Sequence, residues 1–332
     1  MKEIIITKNE EGYKVKRLCQ KYLPAAPTSF IYKMLRKKNI VLNDKKSTGD
    51  EVVKVGDSIK LYLSDETIDK FKTDNPTKRS EKTEKTSEKK YELLSKDVIY
   101  EDEDILIAYK PIGILSQKSR PEDYSINEAI IDYLLSKGKI DSASLELFKP
   151  SVCNRLDRNT SGLVLASKSP HGARYLSDVL RDRSVKKYYL AVCMADCRLS
   201  GTYKAYLSKD EASNKVTVYD KELPGSKPIE TAVELMDYND DLDVSLLRIE
   251  LITGKSHQIR AHLAHLGYPL IGDIKYGKPF INGIFNKKFG IRSQMLLAYS
   301  VTFPDGDEKV SGRTFSMKLP ASFRKMFPDI NI

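Results

Sequence analysis

The sequence predicts an α+β fold in two parts: a body with a mixed, largely antiparallel sheet, and a small α/β head that precedes it. Strand-like runs in the second half of the chain often follow one another without a helix between them. This is typical of antiparallel or mixed sheets and not of doubly wound parallel ones. A charged stretch without a periodic apolar face, residues 66–90, separates the two parts. A chain of 332 residues is long enough for two domains.

The head, residues 1–65, is predicted to begin with two helices. Helical periodicity covers VKRLCQKYL at 15–23 and TSFIYKMLRKKNIVL at 28–42. Thr28 and Ser29 are N-cap candidates for the second helix, because their hydroxyls accept hydrogen bonds from the unpaired N–H groups of a first turn.

The second helix is predicted to bury one face and to expose the others. Ile31, Met34 and Leu35 fall on the apolar face. The basic side chains on the other faces are Lys33, Arg36, Lys37 and Lys38. A strand pair follows, NIVLN at 39–43 and SIKLYL at 58–63.

Residues 66–90 mix Lys, Glu, Thr and Ser with one aromatic side chain, Phe71. Such a segment buries too little apolar surface to offset the entropy lost on ordering, so it is predicted to be a mobile tether. A long charged helix is the alternative, but Pro76 and the many Thr and Ser residues favour the tether.

The body, residues 91–332, combines both kinds of pattern and has no internal repeat at a fixed period. Its strand candidates are VIYEDEDILIAYK at 98–110, SGLVLASKS at 161–169, KKYYLAVCM at 186–194, SLLRIEL at 245–251 and MLLAYSVTF at 295–303. Its helical patterns are SINEAIIDYLLSKG at 125–138, HGARYLSDVLRDR at 171–183 and SHQIRAHLAHLG at 256–267.

Charge favours a polyanionic partner. The 56 Lys and Arg outnumber the 46 Asp and Glu, which gives a net charge of +10 and a pI near 9.1. The head alone has 14 basic against 8 acidic residues. Nucleic acid is the commonest partner of such a protein, and a basic protein without that partner is the alternative.

Membrane and secreted classes are not indicated. No run approaches the ~20 apolar residues of a membrane span, and MKEIIITKNEEGYK at the N-terminus is too polar for a signal peptide. The cysteines have no zinc-like spacing and are expected to be reduced thiols of a cytoplasmic protein: Cys19, Cys153, Cys193 and Cys197.

Two patterns resemble cofactor sites but lack the residues such sites need. A metal on His257, His262 and His265 would require an acidic third ligand, and only the last two share a helical face. Gly254-Lys255-Ser256 resembles the end of a phosphate-binding loop, yet Ile249 stands where that loop requires glycine. Neither a metal nor another cofactor is expected.

The segment around Asp157 is the most informative. Arg155-Leu156-Asp157-Arg158-Asn159 leads through Thr160-Ser161-Gly162 straight into an apolar strand. A tight turn here places Asp157 at the rim of a sheet, where reactive carboxylates are often found. A turn aspartate that only bonds nearby backbone is the alternative.

Ordered motifs surround this segment. They are Glu101-Asp102 and Ile105-Leu106-Ile107 before Lys110-Pro111-Ile112-Gly113; Asn154 to Gly162; Arg183, Val185, Lys187, Tyr189 and Ala191; Thr253 to Leu263; and Gly267 to Asp273 with Tyr276-Gly277. Together they resemble the RluA family of RNA pseudouridine synthases over nearly all of residues 91–305. The family signature His-Arg-Leu-Asp-x-x-Thr-Ser-Gly is matched at every fixed position except the first.

The head resembles a small RNA-binding domain, S4-like, that is shared with a ribosomal small-subunit protein. The matching residues are Arg17-Leu18, Ser29, Ile40-Val41-Leu42-Asn43 and Gly56-Asp57-Ser58-Ile59, while Cys19 replaces the usual Asp. The resemblance implies an RNA-binding head that uses its basic helix. A basic appendage without an RNA role is the alternative.

The resemblance implies that the chain converts selected uridines in RNA to pseudouridine without metal or cofactor, with Asp157 as the essential carboxylate. Whether Asp157 attacks the sugar, adds to the base or removes a sugar proton stays open. All three courses need an ionised carboxylate in a water-poor pocket, and an adjacent cation is required to hold that charge. Arg260, carried over from the family motif, is the expected partner.

The resemblance also implies the other substrate contacts. Tyr189 is expected to stack on the uracil, with Ile259 and Leu296 as apolar walls, and core packing is the alternative for all three. Arg155 is expected to occupy the space left by the extruded base or to bind a backbone phosphate.

Two positions depart from the family pattern. Asn154 stands in place of the first His of the signature, and Leu297 in place of the His of a Leu-His-Ala triplet. Neither is the nucleophile, so activity is expected to survive.

Two other functions compete with this one. A non-catalytic RNA-binding or ribosome-assembly protein would not need Asp157, Tyr189 and Arg260 all intact, and a metal-dependent hydrolase would need further carboxylates grouped with Asp157. The expected partner is structured RNA, with 23S rRNA favoured over tRNA because a basic head on a tether suits a large RNA. A monomer without a membrane partner is expected.

Overall fold

The computed structural model describes residues 1–7, 10–72, 91–210 and 212–332. Contacts divide the chain into two compact units. The first comprises Met1–Lys90, Ile131–Pro150 and Lys168–Arg174, and the second comprises Tyr91–Ile130, Ser151–Ser167 and Tyr175–Ile332. We call the second the catalytic unit. Most of the predicted tether, residues 73–90, lies outside the described residues.

The head contains the two predicted helices and the predicted strand pair. It also has two further strands and one further helix. Its elements are β1 (Lys2–Ile5), α1 (Val15–Tyr22), α2 (Thr28–Arg36), β2 (Ile40–Leu42), β3 (Lys45–Lys46), β4 (Ser58–Leu61) and α3 (Asp65–Lys72). The strands form an antiparallel sheet in the order β1-β4-β2-β3. Ile31, Met34 and Leu35 are buried in the head core as predicted, because they share one face of α2.

The N-cap prediction for α2 is wrong. The helix begins at Thr28 itself, and Pro27 is the N-cap residue, with no side-chain capping bond. The Thr28 hydroxyl accepts instead from the side chain of Gln20, at 2.7 Å from Nε2 to Oγ1. Pro27 has a helical φ of −58° but an extended ψ of 143°, so the helix starts at the residue after it.

Helix α3 begins at Asp65, one residue before the predicted start of the tether, and covers its first seven residues. Ile68 is buried in the head core, and the Phe30 and Phe71 rings pack with their centroids 4.6 Å apart. Residues 66–72 are therefore a helical part of the head. Ile68 and Phe71, three residues apart, form an apolar stripe too short to stand out in a charged segment.

The catalytic unit is built on a sheet of 11 strands. They are β5 (Val98–Glu101), β6 (Ile105–Lys110), β7 (Ser151–Val152), β8 (Ser161–Ser167), β9 (Lys186–Met194), β10 (Gly201–Asp210), β11 (Lys215–Tyr219), β12 (Lys227–Asn239), β13 (Val244–Leu251), β14 (Leu296–Thr302) and β15 (Thr314–Ser316). The main path runs β11-β10-β12-β13-β9-β14-β8-β6-β5, with β15 on β14 and β7 on β8. Only the β14–β8 pairing is parallel among the described strands, so the predicted mixed, largely antiparallel sheet is confirmed.

The remaining helices are α4 (Ile126–Ser136), α5 (Ser142–Leu147), α6 (Pro170–Arg181), α7 (Gln258–His265), α8 (Pro279–Phe289) and α9 (Ala321–Arg324). Those at 126–136, 170–181 and 258–265 were predicted. Strand β9 shows how the sheet positions a site. Leu190 and Val192 point into a core with Phe285 and Phe327, and Tyr189 consequently faces the opposite side.

None of the helices in the described parts of the chain is long and apolar enough to cross a membrane.

Candidate active site

Asp157 lies in the turn that leads from β7 into β8. The backbone N–H of Thr160 donates to the carbonyl of Asp157 at 3.0 Å, which closes the turn. The carboxylate reaches into a cleft of about 1070 Å³ in the catalytic unit and is 26% exposed. The predicted position at the rim of a sheet is thus the observed one.

Lys110, the last residue of β6, stabilises the turn through hydrogen bonds. Its ammonium is fully buried and donates to the carbonyls of Pro111 at 3.0 Å, Ile114 at 2.7 Å and Arg158 at 3.1 Å. Burial lowers the pKa of Lys110 to about 8, while the charge of Asp157 opposes that shift. Three carbonyls on one cation tie the strand end to the turn.

Ser116 fixes the residue before Asp157. Its hydroxyl donates to the carbonyl of Leu156 and accepts from the N–H of the same residue, both at 2.9 Å. The backbone around Asp157 is therefore bonded on both sides of the carboxylate.

Arg260 joins two carboxylates. Its Nη1 donates to Oδ2 of Asp157 at 2.8 Å. Its Nε and Nη2 donate to the two oxygens of Asp273 at 2.7 and 2.9 Å, the two-pronged geometry that favours arginine. Arg260 is 6% exposed and Asp273 is 0% exposed.

The network favours the charged forms of Arg260 and Asp273. Burial acts to lower the pKa of Arg260, but Asp273 and Asp157 outweigh it and raise that pKa. Burial acts to raise the pKa of Asp273, yet the bonds and charge of Arg260 lower it overall. Arg260 is therefore a permanent cation beside Asp157.

His257 and Tyr276 lie beside the ion pair of Asp157 and Arg260. The Tyr276 hydroxyl accepts from the N–H of Val216 and bonds Nδ1 of His257, both at 2.9 Å. Nε2 of His257 lies 4.0 Å from Oδ2 of Asp157, and the Arg260 guanidinium lies 5.3 Å from the centre of the Tyr276 ring. Burial lowers the pKa of His257, so its neutral form prevails at neutral pH.

An aromatic and apolar wall faces the carboxylate. Tyr189, Ile259 and Leu296 are buried and line the cleft. Burial, and then the charge of Asp157, raise the pKa of the Tyr189 hydroxyl, which stays neutral. Tyr188 does not line the cleft and packs against Arg248, so strand alternation orients only one of the two tyrosines towards it, as predicted.

The described lining of the cleft is strongly basic. Its cations are Lys118, Arg155, Arg158, Arg181, Arg183, Lys187, Lys209, Lys255, Arg260 and Lys275. Asp157 is the single acidic residue in that lining. The positive charge of such a cleft attracts a polyanion, and Asp157 is the carboxylate that the polyanion would meet there.

The six residues predicted for the site meet in this one cleft. They are Arg155, Asp157, Tyr189, Ile259, Arg260 and Leu296. The four basic residues predicted to bind RNA through the head are exposed on α2 and just after it: Lys33, Arg36, Lys37 and Lys38.

The histidines are engaged with protein groups. Nδ1 of His262 lies 3.1 Å from the hydroxyl of Thr231, and Nε2 of His265 lies 2.7 Å from a carboxylate oxygen of Asp220. Within the described residues, no group of three or more His, Cys, Asp or Glu is arranged to hold a metal ion.

Known proteins are similar in sequence to this chain. A family model described as RNA pseudouridylate synthase matches residues 104–265. The uncharacterized RNA pseudouridine synthase of Mycoplasma genitalium is 30% identical over 303 residues, which cover 91% of this chain and 89% of that protein. The chain belongs to the RNA pseudouridine synthase family.

Further relatives agree with this family. Ribosomal large subunit pseudouridine synthase C of Vibrio cholerae is 28% identical to the synthase over 313 residues, 92% of this chain and 90% of that protein. The solved structure of human RNA Pseudouridylate Synthase Domain Containing 4 matches with a TM-score of 0.55 at 20% identity, over 71% of this chain and 93% of that one, and shows the same fold. The predicted membership of the RluA family is confirmed, and the synthase is an isomerase that forms pseudouridine in RNA.

The two departures from the family pattern have structural roles in this synthase. The side-chain oxygen of Asn154 accepts from the N–H of Leu165 at 2.6 Å, and its amide donates to the carbonyl of Leu163 at 3.3 Å. Asn154 therefore bonds the backbone of β8 in the manner of a neighbouring strand. Leu297 is fully buried in the core that contains Leu190.

Sequence reasoning assigned no role to Asp273, Tyr276, Lys110 or Ser116. The first three belong to motifs that carry the family resemblance, but each role depends on a partner in another motif: Arg260 for Asp273, His257 for Tyr276 and Arg158 for Lys110. The pairing of Asp273 with Arg260 became visible only with the fold. Ser116 gave no signal, since a lone serine after Lys-Pro-x-Gly has many ordinary uses.

Proposed function

We propose that Asp157 is the catalytic carboxylate of this synthase and that its target uridine lies between Asp157 and Tyr189. The supporting observation is the bond from Arg260 to Asp157 at the floor of a cation-lined cleft. A half-buried carboxylate such as Asp157 loses part of its water shell, and Arg260 replaces that part with a fixed charge. The bond holds Asp157 in one position beside a permanent cation.

The reaction breaks the bond from ribose to the uracil nitrogen, turns the base and rejoins the ribose to carbon 5. Asp157 either attacks the sugar, adds to the base or removes a sugar proton, and each course uses the ionised form. The isomerisation needs no cofactor, since it involves neither net redox change nor phosphate energy.

The detached base must stay in the cleft while it turns. Stacking on the Tyr189 ring supplies about 1–3 kcal/mol for this, and Ile259 and Leu296 limit its movement. The walls exclude water from the open glycosidic bond.

The target nucleotide has to leave its RNA stack, at a cost of a few kcal/mol. Arg155 is exposed at the cleft, two residues before Asp157. We assign it the space that the nucleotide vacates, or the adjacent phosphate.

The proposed substrate is 23S rRNA. The relative from Vibrio cholerae is named a ribosomal large subunit pseudouridine synthase, and it aligns with 92% of this chain. The S4-like head, with four exposed basic residues at α2, supplies a second contact with a large RNA. The synthase then works as a monomer in the cytoplasm, where ribosomal RNA is.

The test is to map pseudouridines in the cellular RNA of three strains: parental, deleted for the chain, and carrying Asp157→Asn. We expect one or more sites in large-subunit ribosomal RNA to disappear in both altered strains. Sites lost from tRNA instead would replace the proposed substrate. Sites that survive in the Asp157→Asn strain would remove Asp157 from the catalytic role.

A further inference from the structure

Arg183 occupies a backbone conformation that suits glycine. Helix α6 ends at Arg181, and Arg183 follows with φ +64°. In this left-handed conformation the Cβ of an L-residue crowds its own backbone, and the position after a helix end is usually glycine for that reason. An arginine there strains the backbone, and such strain concentrates at functional sites.

The turn that imposes this conformation is well bonded. The N–H of Ser184 donates to a carboxylate oxygen of Asp182 at 2.9 Å, and the N–H of Val185 donates to the carbonyl of Val179 at 3.2 Å. Neither bond involves the side chain of Arg183, so a glycine at position 183 would preserve both.

The side chains of Arg183 and Lys187 line the active-site cleft. Lys187 precedes Tyr189 by two residues on β9, so both point to the same face of the sheet, about 7 Å apart along the strand. Burial lowers the pKa of Lys187, and the nearby charge of Arg183 lowers it further. The two cations are thus close to each other and to the proposed base platform.

These cations are without an acidic partner in the described part of the chain, where neither side chain forms an ion pair or hydrogen bond. Several other cations of the lining do have partners. Arg158 donates to the carbonyl of Gly113, Lys275 donates to that of Asn214, and Arg181 pairs with Asp178. Two neighbouring like charges repel each other, and an anion placed between them removes that repulsion.

We propose that Arg183 and Lys187 form a subsite for one backbone phosphate of the RNA, next to the uridine on Tyr189. This rests on the function proposed for the cleft. A guanidinium binds two phosphate oxygens in its fork, and an ammonium adds a point charge. A phosphate held by Lys187, two residues and about 7 Å along β9 from Tyr189, orients its nucleotide towards Asp157.

Arg183→Gly tests charge and strain together. It removes the guanidinium, and it also relieves the backbone. We expect the Tm of the full-length protein to rise by roughly 2–4 °C. In the same variant we expect the affinity for an unmodified large-subunit rRNA transcript to fall about tenfold. The slope of log affinity against log salt should decrease in magnitude by about 1.

Lys187→Met should weaken binding and reduce the salt slope in the same way. Two controls separate the effects. Ala195→Gly relieves another left-handed residue, at φ +66° and outside the cleft, and should raise Tm without changing affinity. Lys186→Met removes the exposed neighbouring cation, also outside the cleft, and should leave affinity nearly unchanged.

A modified RNA completes the test. A short RNA with the mapped uridine, in which one flanking phosphate is replaced by a neutral methylphosphonate, should bind wild type more weakly at one of the flanking positions. Arg183→Gly should show no further loss at that position. The subsite is refuted if Arg183→Gly and Lys187→Met bind with wild-type affinity and salt slope, or if no methylphosphonate position depends on them. The affinity for the transcript does not require turnover, so a wild type that binds it but forms no pseudouridine in rRNA overturns the proposed function and not this contact.

Discussion

Arg260 divides its guanidinium between two carboxylates, with Nη1 on Asp157 and the Nε–Nη2 edge on Asp273. Only Asp157 is open to the cleft, because Asp273 is completely buried. Asp273 consequently acts through Arg260. A single bond from Nη1 lets a guanidinium rotate, and the second, two-pronged contact prevents it.

We predict that Asp273→Asn impairs both stability and catalysis. Breaking a buried ion pair by removing one partner typically costs about 3–5 kcal/mol, which urea unfolding would report. The freed guanidinium should also displace Asp157, with about a 10²-fold loss in single-turnover pseudouridine formation. Asp220→Asn, at the exposed pair with His265, is the matched control and should change neither quantity. A stable, fully active Asp273→Asn protein would show that Asp157 does not depend on this brace.

His262 makes stability depend on pH. It is buried in α7 beside Thr231, and burial, followed by the charge of His265, lowers its pKa to about 4. The ordinary value is 6.5, so between pH 6.5 and 4 the unfolded chain binds a proton that the native one rejects. The contribution of His262 is complete above pH 6.5 and is lost as the pH falls towards 4.

We therefore predict a loss of up to about 1.4 kcal/mol per pH unit from this residue over that range. The measurement is the urea midpoint of wild type and of His262→Gln at several pH values. The difference between the two proteins should shrink as the pH falls. A difference that is constant with pH would contradict the prediction.

At the scale of elements, the parallel contact between β8 and β14 places the Asp157 turn next to Leu296. Gly162 makes this contact possible. Its φ is +129°, and a Cβ there would lie 2.3 Å from the carbonyl oxygen and 2.5 Å from the nitrogen of Ala298. The obstacles are backbone atoms, so a side chain can be accommodated only if the two strands separate.

Gly162→Ala should therefore destabilise the synthase by about 3 kcal/mol and reduce activity, since the strand that follows the Asp157 turn is displaced. Gly283→Ala is the opposite case. That glycine lies inside α8, where an added Cβ meets nothing within 4 Å and helix propensity favours alanine by about 0.5–1 kcal/mol. Chemical denaturation of both variants checks the contrast, and equal effects would mean that the strands adjust freely.

The sequence predicted the elements with strong periodicity, and missed those whose partners lie elsewhere. The buried strand at 161–167 and the helix at 258–265 were recognised with nearly correct bounds. Strands β10, β11 and β12 were not. Their burial alternates, but each has only two or three fully buried residues among many polar ones, so no apolar run marked them. In the site, the motif identified Asp157 and Arg260, whereas the roles of Lys110 and Asp273 depend on contacts that no local pattern contains.

At the scale of the whole molecule, positive charge is found in two places with different surroundings. In the cleft it surrounds a single carboxylate and apolar walls, which suits one extruded nucleotide. In the head it lies on one exposed helix end, at Lys33 and the three basic residues at 36–38. Two contacts on one RNA chain multiply, because the first raises the effective concentration of the second.

The head should consequently matter for large RNA and not for small ones. We predict that replacing its four basic residues with Gln weakens binding to a full-length large-subunit rRNA transcript and reduces the salt slope by up to about 4. The replaced residues are Lys33, Arg36, Lys37 and Lys38. Single-turnover conversion of a short stem-loop with the same uridine should stay at the wild-type rate. The control replaces four exposed lysines of the catalytic unit outside the cleft lining, namely Lys278, Lys287, Lys288 and Lys318, and lowers the net charge by the same amount. If both quadruple variants lose equal affinity for the long transcript, net charge and not the head accounts for the binding.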